Sequence, residues 1–344
     1  LCFLKKYLLN TIFCAILSFC TMFSIRSTFF SILLGLTTAY AQDFNPKYAN
    51  EFLTMGVGAD ALGMGSAVVA DVQGLAAGVW NPAGLLHQTQ DIEVGLMHAS
   101  YFGGLAAFDH LGVSKRLQNQ TVVSANVIRL GVDNIYNTTQ LIDNQGNIDY
   151  SQLQTFNSAD YAIIGSLAKP TKIQHLSLGL SAKVLYRHIG NFAKAYGFGF
   201  DAGLQYRPSK NWSAGLSLRD ATSTFSAWTY NLSPEMQATL LETNNELPQN
   251  GIEQMLPRIV FGIAGKVPLK SEKYELGGQL NAEITTDGPR NTLLSGSVFS
   301  LDPRAGVYLN YDHKLVFRTG VSQFQYYQDF DQTQKLGLQP HLGA

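Results

Sequence analysis

Charge is scarce in this chain. Only 14% of its 344 residues are Asp, Glu, Lys or Arg, against roughly a quarter in an ordinary soluble domain. Lys+Arg 24 balance Asp+Glu 25, and no basic block stands out, which argues against a nucleic-acid partner. Cysteine is confined to Cys2, Cys14 and Cys20. Once the N-terminus is removed, none is left for a disulfide framework, a thiolate zinc site or a cysteine nucleophile. Beyond residue 41 no apolar run is long enough for a spanning helix. What is present is 46% hydrophobic residues, 11% aromatics and 32 glycines. That mixture fits a β-protein whose surface does not wholly face water.

Residues 1–41 read as a targeting segment. Arg26 follows Met22, an apolar tract runs from Phe29 to Leu36, and Ala39-Tyr40-Ala41 precedes Gln42. These are the charged, apolar and small-x-small parts of a cleavable export signal, cut before Gln42. The signal is complete from Met22, which we read as the true start. A signal anchor over Tyr7 to Phe23 is the rival, weakened by Asn10 and Thr11.

The remainder alternates. Leu176, Leu178, Leu180, Ala182, Val184 and Tyr186 fall on one face of a strand, with Ser177, Gly179, Ser181 and Lys183 on the other. Similar period-two runs occupy 196–207, 212–219, 274–284 and 304–312. Less pure runs lie at 91–102, 105–117, 120–131, 158–168, 257–267, 314–323 and 334–344. Together they predict about twelve strands of about ten residues, a length that crosses a bilayer when tilted. Tyr186, Tyr196, Tyr206, Trp212, Tyr274 and Tyr311 end the apolar faces, as interfacial aromatics do. Long loops are expected at about 132–157 and 221–255. The expected fold is all-β, an antiparallel transmembrane β-barrel over 91–344. A soluble sandwich or barrel with one buried face is the alternative, and the strand length and Gly/Ser-rich polar faces tell against it.

Residues 42–90 lack period two and are rich in Gly and Ala, so they predict a compact plug inside the barrel, with a cap or linker as the alternative. Trp80 gives an anchor beside the turn-forming Asn81-Pro82. Glu51-Phe-Leu, Gly58-Ala-Asp-Ala-Leu-Gly-Met-Gly65 and Trp80-Asn-Pro-Ala-Gly-Leu85, followed by strands, resemble the PorV/PorQ family of Bacteroidetes, within the wider class of FadL-type outer-membrane transporters. The resemblance spans about 45–344. It implies a 14-stranded barrel with an N-terminal hatch, whose motif residues are Trp80, Asn81, Pro82, Ala83 and Gly84. It further implies an outer-membrane location, contact with outer-membrane lipid, and one of two roles. One is association with type IX secretion components or secreted proteins. The other is transport of a hydrophobic ligand. With about twelve strands read and Ala344 in place of a terminal aromatic, the expectation is that the chain is truncated at its C-terminus.

No catalytic constellation emerges. Gly56-Val-Gly58-Ala-Asp-Ala61 approximates a dinucleotide fingerprint but follows no apolar strand. The histidines show no ligand spacing, so neither a metal nor a cofactor is expected. Strand serines are many, and sequence leaves a Ser–His pair open, but nothing marks a nucleophile. Arg129, Lys183, Asp201, Arg219, Glu275, Glu283, Arg304 and Arg318 fall on faces expected to line the lumen, as a charge-balanced network or a substrate path. Phe225, Trp228 and Tyr230 are candidate contacts on an outer loop, with a short helix starting at Ser233-Pro234.

Overall fold

A strand that alternates apolar and polar residues buries one face only, and in lipid it must also pair along both edges. The computed structural model describes residues 49–344 apart from 140, 143, 144, 270–272 and 313. The targeting segment therefore lies outside the described residues. Among the described residues fifteen strands form one sheet. They are β1 (Ile92–Tyr101), β2 (Ala106–Arg116), β3 (Val122–Asn137), β4 (Gln154–Pro170), β5 (Leu176–Ile189), β6 (Ala193–Tyr206), β7 (Trp212–Arg219) and β8 (Thr224–Tyr230). There follow β9 (Gly251–Met255), β10 (Arg258–Pro268), β11 (Tyr274–Thr285), β12 (Leu294–Ser295), β13 (Ser300–Tyr311), β14 (Leu315–Gln328) and β15 (Gln334–Gly343).

All pairings are antiparallel, and the main path has twelve members, β1 to β7, then β10, β11, β13, β14 and β15. The twelve runs read from the sequence are these twelve. The loop expected over 221–255 is a correction. β7 pairs with Ala202–Tyr206 of β6 and β8 with Ala193–Phe198, so β7 and β8 are two halves of one span. β9 and β10 are likewise halves of the next, pairing β8 and β7. Helix Pro234–Glu242 sits between them, capped by the Ser233 side chain. The other long loop shrinks to 138–153, because β3 continues to Asn137 past a register shift between Val132 and Ile135.

Side chains fill the break at 220–223. The Lys183 ammonium lies 2.8 Å from Asp201 and 2.5 Å from Asp220. The Asp220 N–H donates to Asp201 at 2.7 Å, and Thr224 Oγ1 to Asp220 at 2.5 Å. These polar groups stand where ladder partners are missing, which keeps a gap in the wall from carrying orphaned donors.

The outward face is apolar. Val94, Leu96, Leu111, Val113, Ile163, Leu180, Val184, Phe198 and Phe261 are all exposed there. On β5 and β6 this band runs from the Leu176–Tyr206 pair up to the Tyr186–Tyr196 pair. Ten residues at about 3.4 Å and a tilt near 40° give roughly 26 Å, the height of a lipid-facing belt. No helix among the described residues is long and apolar enough to cross a membrane.

The wall curls round residues 49–90. The Leu75 N–H donates to Glu93 on β1 at 2.9 Å, while Gly63 lies against Gly343 on β15. Among the described residues β1 and β15 each pair on one side only, and the inner block meets both of these edges. The fold is an all-β antiparallel barrel wall of the transmembrane type, with twelve spans among the described residues where the resemblance implies fourteen.

Candidate functional site: the block–wall interface

The inner block has too little regular structure to satisfy itself. Its ordered pieces are a turn at Glu51–Thr54, the helices Ala59–Gly63 and Ala77–Trp80, and a turn at Pro82–His87. The first residues and last carbonyls of such short pieces need outside partners. The wall provides them from its inward face. Ser166 Oγ on β4 and Ser181 Oγ on β5 donate to the Gly78 carbonyl at 2.9 and 3.4 Å. Gln205 on β6 donates to the carbonyls of Ala70 (2.9 Å) and Val72 (3.1 Å). Ser217 on β7 donates to the Trp80 carbonyl at 3.1 Å. The Gly/Ser-rich polar faces seen in the sequence are thus fitted to a backbone rather than to water. Glycines mark where that backbone comes closest. A Cβ on Gly179 would run into Pro82 and Ala83, and one on Gly203 into Asn81.

All five expected motif residues meet at this interface. Trp80 is 1% exposed. Its indole N–H donates to the Val57 carbonyl at 2.7 Å, and the Arg219 guanidinium lies 5.1 Å above its ring. The Asn81 side chain does two things. Its oxygen caps the following turn at the Ala83 N–H (3.3 Å), and its NH₂ donates to Val69 (2.9 Å) and to Leu204 of β6 (3.1 Å). Pro82 opens that turn at a position where its missing N–H costs nothing. Ala83 is fully buried, and a Cβ on Gly84 would strike the Val72 carbonyl.

The other named residues are dispersed. Phe225, Trp228 and Tyr230 lie on β8. Phe225 packs against the outward Phe198 at 6.0 Å. Trp228 is buried under Arg187, 4.8 Å from its guanidinium, and stacks on Tyr230 at 6.2 Å. Of the charges expected in the lumen, Lys183, Asp201, Arg219, Glu275, Glu283, Arg304 and Arg318 face inward. Arg129 does not. It shares its face with the exposed Val127, and pairs with Asp109 at 3.2 Å, which in turn holds His98 at 2.7 Å. The outward face turns polar there because β1–β3 have passed the apolar band.

Two features escaped sequence reading. The first is the partnership of Glu51, whose carboxylate accepts from Arg258 (3.2 Å) and Arg290 (3.4 Å) and ties the start of the block to the wall. The second is an apolar lumen sector. Phe108, Ile128, Ile164 and Leu185, inward on β2–β5, pack with Val57, Trp80 and Leu85 of the block, and Met55 and Met97 flank them. The impure alternation at 105–117, 120–131 and 158–168 was its signal, since both faces of those strands carry apolar residues.

At the end of the motif turn, burial and then the neighbouring guanidinium groups of Arg207 and Arg116 push His87 down to about 4. Burial raises the Asp71 carboxyl, although Arg207 lies 3.2 Å away. Among the described residues, no three His, Cys, Asp or Glu side chains are grouped so as to hold a metal.

No protein-family model and no curated protein matches the chain. Among solved structures it is similar to the toluene transporter TbuX of Ralstonia pickettii, at 15% identity over 82% of this chain and 88% of that one, with a TM-score of 0.46. It is similar to the CymD monoaromatic hydrocarbon channel at 14% identity, covering 82% and 85%, TM-score 0.46. It is also similar to the toluene transporter TodX of Pseudomonas putida at 13% identity, covering 82% and 85%, TM-score 0.41.

Proposed function

We propose that the protein is a non-enzymatic outer-membrane barrel that passes apolar small molecules across the membrane, with residues 49–90 acting as a hatch. The observation that carries this reading is the apolar lumen sector on β2–β5. A barrel that conducts polar solutes has a polar interior throughout. Here Phe108, Ile128, Ile164 and Leu185 line one side of the lumen, and the hatch covers them with Val57, Trp80 and Leu85. A shift of the hatch uncovers an apolar track. The flanking Met55 and Met97 are flexible, polarizable side chains that repack around varied apolar shapes. Along β4–β7 the hatch is also held by hydrogen bonds to serine, glutamine and arginine, which orient it without gluing it to the wall.

A docking role in type IX secretion, the other role implied by the sequence resemblance, would use an exposed aromatic row on an outer loop. Phe225 and Trp228 point to opposite faces of β8, and helix Pro234–Glu242 has no buried residue. Transport is therefore the reading we favour.

The test is uptake of a small aromatic hydrocarbon by cells carrying the protein in the outer membrane. Uptake should exceed that of cells without it, and Ile128→Asp, which places a charge in the sector, should abolish the excess while leaving outer-membrane assembly intact. Uptake that is the same with and without the protein would refute the reading.

A further inference from the structure

Away from the apolar sector, on the β10–β14 side, the hatch does not fill the lumen. A cavity of about 270 Å³ opens at the long-loop end, lined by Glu51, Arg258, Glu283, Thr285 and Arg304 among others. Two more open at the short-turn end, of about 540 and 340 Å³, sharing Asp71, Lys266, Gln279 and Tyr308. Each end presents a buried polar atom with no protein partner among the described residues. Thr285 Oγ1 lines the outer cavity and Gln279 Oε1 the inner ones, on residues 6% and 8% exposed. Buried polar atoms are almost always satisfied, and here only the cavities can satisfy them, so both are sites for water.

The two ends come close together. Gln279 lines the inner cavities and Glu283 the outer one, and they are four residues apart on β11, about 14 Å. A single layer of contacts separates them. The Met64 main chain lies against Gly306 and Gly320 and its side chain against Gly306, where any Cβ would collide with it, and Asn281 is placed to accept the Val68 N–H at 3.1 Å. The sealing turn is itself under backbone strain. Gly65 and Ser66 are successive left-handed residues at φ 63° and 62°, and serine adopts that region at a cost.

We propose that this side of the barrel is a second, polar passage for small hydrophilic ions and solutes, closed at one constriction by Met64–Ser66. Its chemistry is distinct from the apolar track. Arginine and lysine alternate with carboxylates along both vestibules, with Arg258, Arg304, Lys266 and Arg318 set against Glu283, Asp302, Asp71 and Glu275. Near-balanced charge of this kind passes small ions of either sign with weak selectivity.

The experiment is current in KCl across a planar bilayer holding the full chain, with no apolar solute present, so that its outcome is independent of the transport reading above. Met64→Ala should raise the mean current at least tenfold over the parent. Ser66→Cys, in a background without the three native cysteines, should react with a negatively charged methanethiosulfonate and change the current. Ser66→Cys replaces a side chain by one of similar size, so it reports even if Met64→Ala fails to assemble. An unchanged current in an assembled Met64→Ala barrel, or a Ser66→Cys thiol that stays unreactive under applied voltage, would overturn the proposal.

Discussion

Truncating Trp80 to alanine tests how the block is held. The ring is fully buried among Val57, Leu85 and Phe108, so the cavity and transfer loss alone amount to about 3–5 kcal/mol. The Val57 carbonyl loses its donor at 2.7 Å, a further cost of about 1–3 kcal/mol. The Arg219 guanidinium loses the ring face 5.1 Å below it. These losses overlap, and a total of about 4–6 kcal/mol is expected. The wall has its own ladder of hydrogen bonds, so the loss should fall on the block first, as local opening. Hydrogen exchange read by mass spectrometry on the folded barrel is the assay. Amides of the segment around Val57 and Val69 should exchange at least a hundredfold faster in Trp80→Ala, while β4 and β5 amides change little. Trp80→Phe should fall between, keeping most of the packing but not the indole donor. Exchange in Trp80→Ala that matches the parent would refute the view that this side chain anchors the block.

Four further outcomes are expected. With His87 held at about 4 in the folded state against an ordinary 6.5, the unfolded chain binds the proton more readily, so its contribution is complete above about pH 6.5 and is lost as pH falls towards 4. Unfolding midpoints at pH 7.5 and 4.5 should differ by less in His87→Gln than in the parent, the gap corresponding to about 2–3 kcal/mol. Lys183→Met strands Asp201 and Asp220 without their shared cation and should cost about 3–5 kcal/mol by urea titration, with Asp201→Asn and Asp220→Asn added restoring much of it. Gly179→Ala pushes a methyl into Pro82 and Ala83 and should lower the temperature at which the barrel loses its compact gel mobility; an unaltered transition would show that the block does not rest there. Leu96→Arg on the outward face should cost about 2–4 kcal/mol in a lipid bilayer, whereas a soluble barrel would tolerate it.

The wall was legible because a lipid-facing strand repeats every two residues, and Leu176 to Val184 could hardly be read otherwise. What sequence could not place was anything decided by which face a strand end shows. Arg129 reads as a lumen charge by polarity, yet it follows Val123, Ala125 and Val127 on the outside. Polarity changes with height along the barrel as well as with side, and one sequence does not separate the two. The break between β7 and β8 was read as loop because Asp220 to Ser223 interrupt the period, and only the register against β6 shows that the span resumes. The Trp80–Gly84 motif was visible as an island of small residues with one indole. Its partners were not, because Leu204, Ser217 and Arg219 lie more than a hundred positions away.

Those separations bear on the order of assembly. The block leaves the ribosome before any of the wall. Its carbonyls nevertheless wait for donors 88 residues on at Ser166, 135 at Gln205 and 137 at Ser217, and Glu51 waits 239 for Arg290. Contacts this remote in sequence carry a large loop-closure cost and form late. The block, made before the wall, is thus the last to become ordered, and until the final spans are laid down it is an unfolded Gly- and Ala-rich tether. Over 49–90 only Glu51, Asp60 and Asp71 carry charge, so such a tether has few ionic partners to mispair with during that wait.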